Sequence, residues 1–217
     1  VDSEVMLGTL KRRGHEIATD MASADVIVVN TCAFIDRAKR ESIDTVLEMA
    51  KLKTEGADGR PRRLIVTGCL AERHDEELRR DIPEIDATLG TGQIPEIVAA
   101  VEGRATVVDR AAKRPEWIYD AESPRLQSTP SHTAFVKISE GCDYTCTFCI
   151  IPTLRGLHRS RRPSDIESEV RRLAASGVRE IVLVAQDSTR YGLDLGERGA
   201  LAPLLRRLGA IDGLRWI

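Results

Sequence analysis

Four short runs rich in β-branched residues, alternating with longer amphipathic stretches, constrain this chain most. The runs are "DVIVVN" (25–30), "RLIVTG" (63–68), "AFVKIS" (134–139) and "EIVLVA" (180–185). Continuous apolar runs of this length suit strands buried on both faces, and their alternation with helices implies a parallel α/β sheet. The intervening stretches read as helices. Val5, Met6 and Leu10 stand at helical spacing behind the capping candidates Asp2 and Ser3, and Gly14 closes that helix. Ile35, Ala38, Ile43, Val46, Leu47 and Ala50 form a second apolar stripe. A helix in "ERHDEELRRDIPEID" ends at Pro83, and Pro95 sits near the first turn of another. Ser164 with Glu167 reads as a capping box, and Gly177 ends the helix it opens.

From about Arg104 to Thr133 the rhythm lapses into Pro, Ser and charge, which reads as a linker. The expected division is therefore 1–103, a parallel α/β (flavodoxin/Rossmann-like) domain; 104–133, a linker; and 134–217, two βα units. Two such units, with unusual residues just after each strand, suit the start of a TIM-like βα barrel. The rest of that barrel is expected beyond Ile217, since "GLRWI" reads as the opening of a further strand. The chain starts at Val1 and is expected to be a piece of a longer protein, inactive by itself.

Composition narrows the class. Of 217 residues, 42% are hydrophobic and 30% charged, with a formal net charge of −2. That balance gives no global attraction to nucleic acid. No run approaches the roughly 20 apolar residues of a membrane helix, and no leader-like segment opens the chain. A cytoplasmic protein with reduced thiols is expected, and in that setting thiols more often hold metals or react than form bridges.

Three of the five cysteines fall in "GCDYTCTFC" (141–149), a CxxxCxxC loop directly after a strand. A Cys146–Cys149 disulfide strands Cys142. Zinc bound by the three thiols and His158 gives a closed tetrahedral site. A 4Fe–4S cluster explains three ligands best, because the fourth iron then stays open to a small molecule. The other two, Cys32 in "NTC" and Cys69 in "TGC", each follow a strand and so share one sheet edge, where α/β folds place their sites. Ordinary buried thiols are the plainer reading of that pair.

The loop, its place after the first barrel strand and the aromatic Phe148 before its last cysteine resemble the radical S-adenosylmethionine (SAM) superfamily. The resemblance implies that Cys142, Cys146 and Cys149 hold a 4Fe–4S cluster. It further implies that SAM chelates the open iron and is cleaved to a 5′-deoxyadenosyl radical that abstracts hydrogen from the substrate. "NTCAF" and "GCL" resemble two of the three cysteine motifs in the N-terminal domain of methylthiotransferases. That implies a second 4Fe–4S cluster in the intact protein, held by Cys32, Cys69 and a cysteine upstream of "VDSE".

Within that family, "NTCAFIDRAKRESIDTVLEM", "KISEGCDYTCTFCIIPTLRGLHRSR" and "LVAQDSTRYG" resemble the RimO-type branch. Its reaction adds a methylthio group to the β-carbon of an aspartate in small-subunit ribosomal protein S-twelve. Transfer-RNA adenosine methylthiolation is the alternative, and a zinc-stabilised binding module is an alternative of another class. The resemblance also implies a flavodoxin- or ferredoxin-type electron donor and no membrane partner. Gln186 is placed near SAM, with a polar loop start as the plainer reading; Phe148 lies against the adenine or packs on the strand. Arg155, Arg159, Arg161 and Arg162 read as a solvated basic face, with ribosomal RNA or an acidic substrate loop as its possible target. His158 reads as a surface residue outside the zinc alternative. No catalytic residue is assigned.

Overall fold

A computed structural model describes residues 1–55, 62–104 and 115–217. They fall into two compact units, one of Thr9–Trp117 and one joining Val1–Gly8 to Ile118–Ile217. Helix α1 (Asp2–Arg12) opens the chain, and Gly14, at φ +91°, follows it. None of the described helices is long and apolar enough to cross a membrane.

The Thr9–Trp117 unit contains a parallel sheet in the order β1 (Val26–Thr31), β2 (Arg63–Gly68), β3 (Ala87–Leu89). With it go helices α2 (Asp36–Glu55), α3 (Cys69–Asp81) and α4 (Ile97–Val101). The central strand is buried on both faces through Leu64, Ile65, Val66 and Thr67. Each fully buried aliphatic side chain there contributes about 1.5–3 kcal/mol. The same expectation fails for β1, which buries Ile27, Val29 and Thr31 but leaves Asn30 exposed, because β1 has only β2 beside it among the described residues. Helix α3 starts at Cys69, ahead of the polar stretch that suggested it. It gives way at Ile82, where the following Pro83 disfavours helical backbone. Strand β3 has only three residues, too few for the sequence pattern to announce.

In the second unit the strands are β4 (Thr133–Lys137), β5 (Ser139–Glu140), β6 (Arg159–Ser160) and β7 (Glu180–Val184). The helices are α5 (Ile151–Arg155), α6 (Pro163–Ala175) and α7 (Leu201–Gly209). Strands β4 and β7 pair in parallel from Thr133↔Glu180 to Lys137↔Val184. Trp216 adds an isolated parallel bridge to Glu180 of β7, and its carbonyl accepts from the Ile181 amide at 3.0 Å. Ala134, Val136, Ile138, Ile166, Val170, Ile181, Leu204 and Leu208 form the core between this sheet and helices α6 and α7. The expected capping box does not form. Pro163 is the first residue of α6, Arg162 occupies the cap without a side-chain bond, and Glu167 pairs with Arg171 and Arg207 instead.

Residues 105–114 of the expected linker lie outside the described residues. Further on, Tyr119 and Ala121 are buried, and Arg125 pairs with both Glu4 and Glu169.

Candidate metal and cofactor site

Because Lys137 and Val184 are the last paired residues of β4 and β7, the segments after both strands leave the sheet at one edge. The first carries the cysteine loop. Gly141 adopts φ +81°, and a Cβ there would lie 2.2 Å from the Leu157 carbonyl oxygen, so only glycine fits this close approach. The Gly141 amide donates to Gln186 Oε1 at 2.8 Å, and the Cys142 amide to the Gly156 carbonyl at 3.1 Å. The chain returns through α5 to β6, which pairs antiparallel with β5, closing the base of the loop.

Within the loop the Cys149 amide donates to the Cys146 carbonyl at 3.0 Å. Cys146 is exposed, while Cys142 and Cys149 are half-exposed. Among the described residues no three His, Cys, Asp or Glu side chains converge in a metal-holding group. The fold thus puts three thiols on one accessible loop with a fixed base, without drawing the sulfurs to a point. That donor set fits an iron–sulfur cluster, whose ligands are thiolates. Phe148 is 91% exposed, so the packing against the strand weighed for it is not present.

His158 is buried rather than on the surface. Its amide donates to Asp143 Oδ1 at 2.8 Å, and its Nε2 lies 3.2 Å from Ser160 Oγ and 3.8 Å from an Asp194 oxygen. Serving as a fourth zinc ligand through that nitrogen would cost these contacts.

The basic stretch after the loop is also less solvated than its composition suggests. Arg162 is exposed, but Arg155 and Arg159 are half-buried and Arg161 is only 3% exposed. Arg161 pairs with Asp165 and Glu169, both at 2.6 Å, and lies 4.3 Å from the Tyr119 ring centroid. Burial opposes its charge, but Tyr119, Glu169 and Asp165 together hold its pKa above the ordinary value. Tyr119 donates to Glu169 and accepts from the Lys137 amide; burial, then the Glu169 charge, pushes its pKa up. Lys137 in turn pairs with Asp2 at 2.6 Å and with Glu140, and Arg155 reaches Glu140 at 3.0 Å. This network therefore includes Glu140, the residue that precedes Gly141. Burial penalises the Asp2 carboxylate, yet Lys137 and Arg155 outweigh it and lower its pKa.

In the other unit, Cys32 directly follows β1 and Cys69 is the first residue of α3, just beyond the last register pair, Thr31↔Gly68. Gly68 adopts φ +96°, with the Thr31 carbonyl 2.4 Å from where a Cβ would stand. Ser42 Oγ accepts from the Cys32 amide and donates to its carbonyl, at 2.9 and 3.0 Å. Cys32 is exposed and Cys69 buried.

Residues 1–90 match the model of "Uncharacterized protein family UPF0004", and residues 136–209 match that of the "Radical SAM superfamily". "Ribosomal protein uS12 methylthiotransferase RimO" of Anaeromyxobacter sp. (strain Fw109-5) is 51% identical over 222 residues, covering 100% of this chain and 45% of the relative. The protein of the same name from Desulforamulus reducens is 52% identical over 219 residues, covering 100% of this chain and 49% of the relative. The chain belongs to the radical SAM methylthiotransferase family. It spans about half the length of the curated relatives it matches. A solved structure of the radical SAM methyltransferase TsrM from Kitasatospora setae shares the fold, with TM-score 0.61 at 16% identity over 99% of this chain and 51% of that one.

For a methylthiotransferase-family chain, the site residues that sequence reasoning missed are those whose partners lie far along the chain. Asp143 and Tyr144 inside the loop both meet Arg190, at 3.1 Å from a carboxylate oxygen and 5.1 Å from the ring centroid. Lys137 and Glu140 gave one usable signal, two charged residues at the end of an apolar strand.

Proposed function

We propose that this chain acts in a RimO-type radical SAM methylthiotransferase, adding a methylthio group to the β-carbon of an aspartate in small-subunit ribosomal protein S-twelve. The observation that carries the reading is the CxxxCxxC loop, fixed at its base by Gly141 and Gln186 at one edge of a parallel sheet. Identity near one half to the RimO relatives across the whole chain supports it.

In this reading Cys142, Cys146 and Cys149 hold a 4Fe–4S cluster, and Cys32 and Cys69 supply two ligands of a second. When bound, the first cluster supplies the electron that cleaves SAM. The chain's own residues prepare that chemistry. Gly141 lets the loop turn back on α5 and β6, while Gln186 fixes the amide beside Cys142 and, in this reading, would meet SAM beside the loop. The exposed Phe148 ring is free to cover the adenine. A flavodoxin- or ferredoxin-type donor, a cytoplasmic setting and the division into 1–103, 104–133 and 134–217 complete the proposal.

Anaerobic reconstitution with iron and sulfide tests it. About four irons and four sulfides bound through the loop, as one cluster requires, with a spectrum that shifts on adding SAM and disappears in Cys146→Ala, are the expected result. Zinc without sulfide would overturn the reading.

A further inference from the structure

We propose that Arg190 is a positioning residue that orders the cysteine loop for cluster binding; this rests on Cys142, Cys146 and Cys149 being the ligands. Asp143 and Tyr144 lie between the first two of those cysteines, and Arg190 engages both. Its Nη2 lies 3.1 Å from Asp143 Oδ2, and its guanidinium carbon 5.1 Å from the Tyr144 ring centroid. The other Asp143 oxygen accepts the His158 amide at 2.8 Å, so the carboxylate joins the loop to two separate segments.

Arg190 is itself presented from a well-held turn. It ends the 3-10 turn Ser188–Arg190, whose cap, Asp187, accepts from the amide and hydroxyl of Thr189. The next residue, Tyr191, is buried and donates its hydroxyl to the Arg161 carbonyl at 2.9 Å. The anchored segment after β7 therefore grips the loop twice, through Gln186 at the loop's first residue, Gly141, and through Arg190 at Asp143 and Tyr144, between its first two cysteines. A guanidinium there also offsets the negative charge that gathers when thiolates and cluster share one loop.

Arg190 and Asp143 have side chains 28% and 35% exposed, and a pair this accessible adds little to global stability. Its effect falls on the loop. This separates a positioning role from a structural one: Arg190→Gln should leave the melting temperature nearly unchanged while loosening residues 141–149.

The test compares the chain with Arg190→Gln and Arg190→Lys, and with Arg172→Gln, which removes an exposed pair to Glu122 elsewhere. In the metal-free proteins, amide exchange across residues 141–149 is measured. In the reconstituted proteins, loss of iron to a chelator is timed. Arg190→Gln is expected to speed both, iron loss by on the order of ten-fold as for other residues that orient metal ligands. Arg190→Lys, which keeps the charge near Asp143, should recover part of the effect, and Arg172→Gln should match the unaltered chain. Equal exchange and equal iron retention in Arg190→Gln would overturn the inference alone. No iron and sulfide in the unaltered chain would overturn the ligand reading and the inference with it.

Discussion

Gln186 Oε1 accepts a hydrogen bond from the Gly141 amide at 2.8 Å, joining residues 45 positions apart at the mouth of the cysteine loop. Gln186→Ala leaves that amide without its acceptor and should cost about 1–2 kcal/mol, the usual penalty for stranding a partly buried donor. Gln186→Glu keeps an acceptor of the same reach and should restore most of the loss. Denaturant unfolding of the three proteins decides it; equal midpoints would mean the bond contributes nothing.

Gly141→Ala should be far more damaging to the loop. Its φ of +81° alone costs an alanine about 1–2 kcal/mol. A Cβ 2.2 Å from the Leu157 carbonyl adds a clash with backbone, which cannot swing aside. Gly177 has a similar φ of +108° but open space around it, so Gly177→Ala carries the conformational cost without the clash. Iron and sulfide uptake should vanish in Gly141→Ala and persist in Gly177→Ala. Uptake by both would show that the loop tolerates a shift at its first residue.

These two glycines show what the sequence makes legible and what it does not. A strand followed by CxxxCxxC announces a ligand loop, and Cys32 and Cys69 announce a shared sheet edge, because local pattern sets both. Which glycine touches a carbonyl sixteen residues on is a tertiary fact. The same holds for Arg161: in "RGLHRSRRP" nothing separates it from the exposed Arg162, and only the fold brings Glu169, Asp165 and Tyr119 around it. Ser164 and Glu167 formed a valid capping pattern that lost to Pro163, which already satisfies the first turn, and to Arg207, which offers Glu167 a charged partner.

Glu4 predicts an acid-side loss of stability. Burial alone would raise its pKa, but the Ser128 amide and the Arg125 guanidinium outweigh burial and hold it below its ordinary 4.5. A carboxylate depressed on folding contributes stability that is fully present above its unfolded value and lost as pH falls through the folded one. Melting temperatures of the unaltered chain and Glu4→Gln should therefore differ most near neutrality, and the gap should close as pH drops from about 4.5. A constant gap down to strong acid would refute this assignment.

Arg161 is the most exacting position in the unit that carries the cysteine loop. It pairs with Asp165 and Glu169, donates to the Lys137 carbonyl at 2.9 Å, and stacks over Tyr119. Removing one member of a buried ion pair leaves the other's charge uncompensated, at a cost of about 3–5 kcal/mol. Arg161→Leu should fall in that range by denaturant unfolding, softened to the extent that Arg125 still holds Glu169. Arg161→Lys should recover only part, since an ammonium lacks the planar fork that reaches two carboxylates and a carbonyl at once. Arg161→Leu combined with Glu169→Leu removes both buried charges together and should be less unstable than the sum of the single changes. Strict additivity in that cycle would mean the two residues do not act as a pair, and that the chain under the cysteine loop is held by packing rather than by charge.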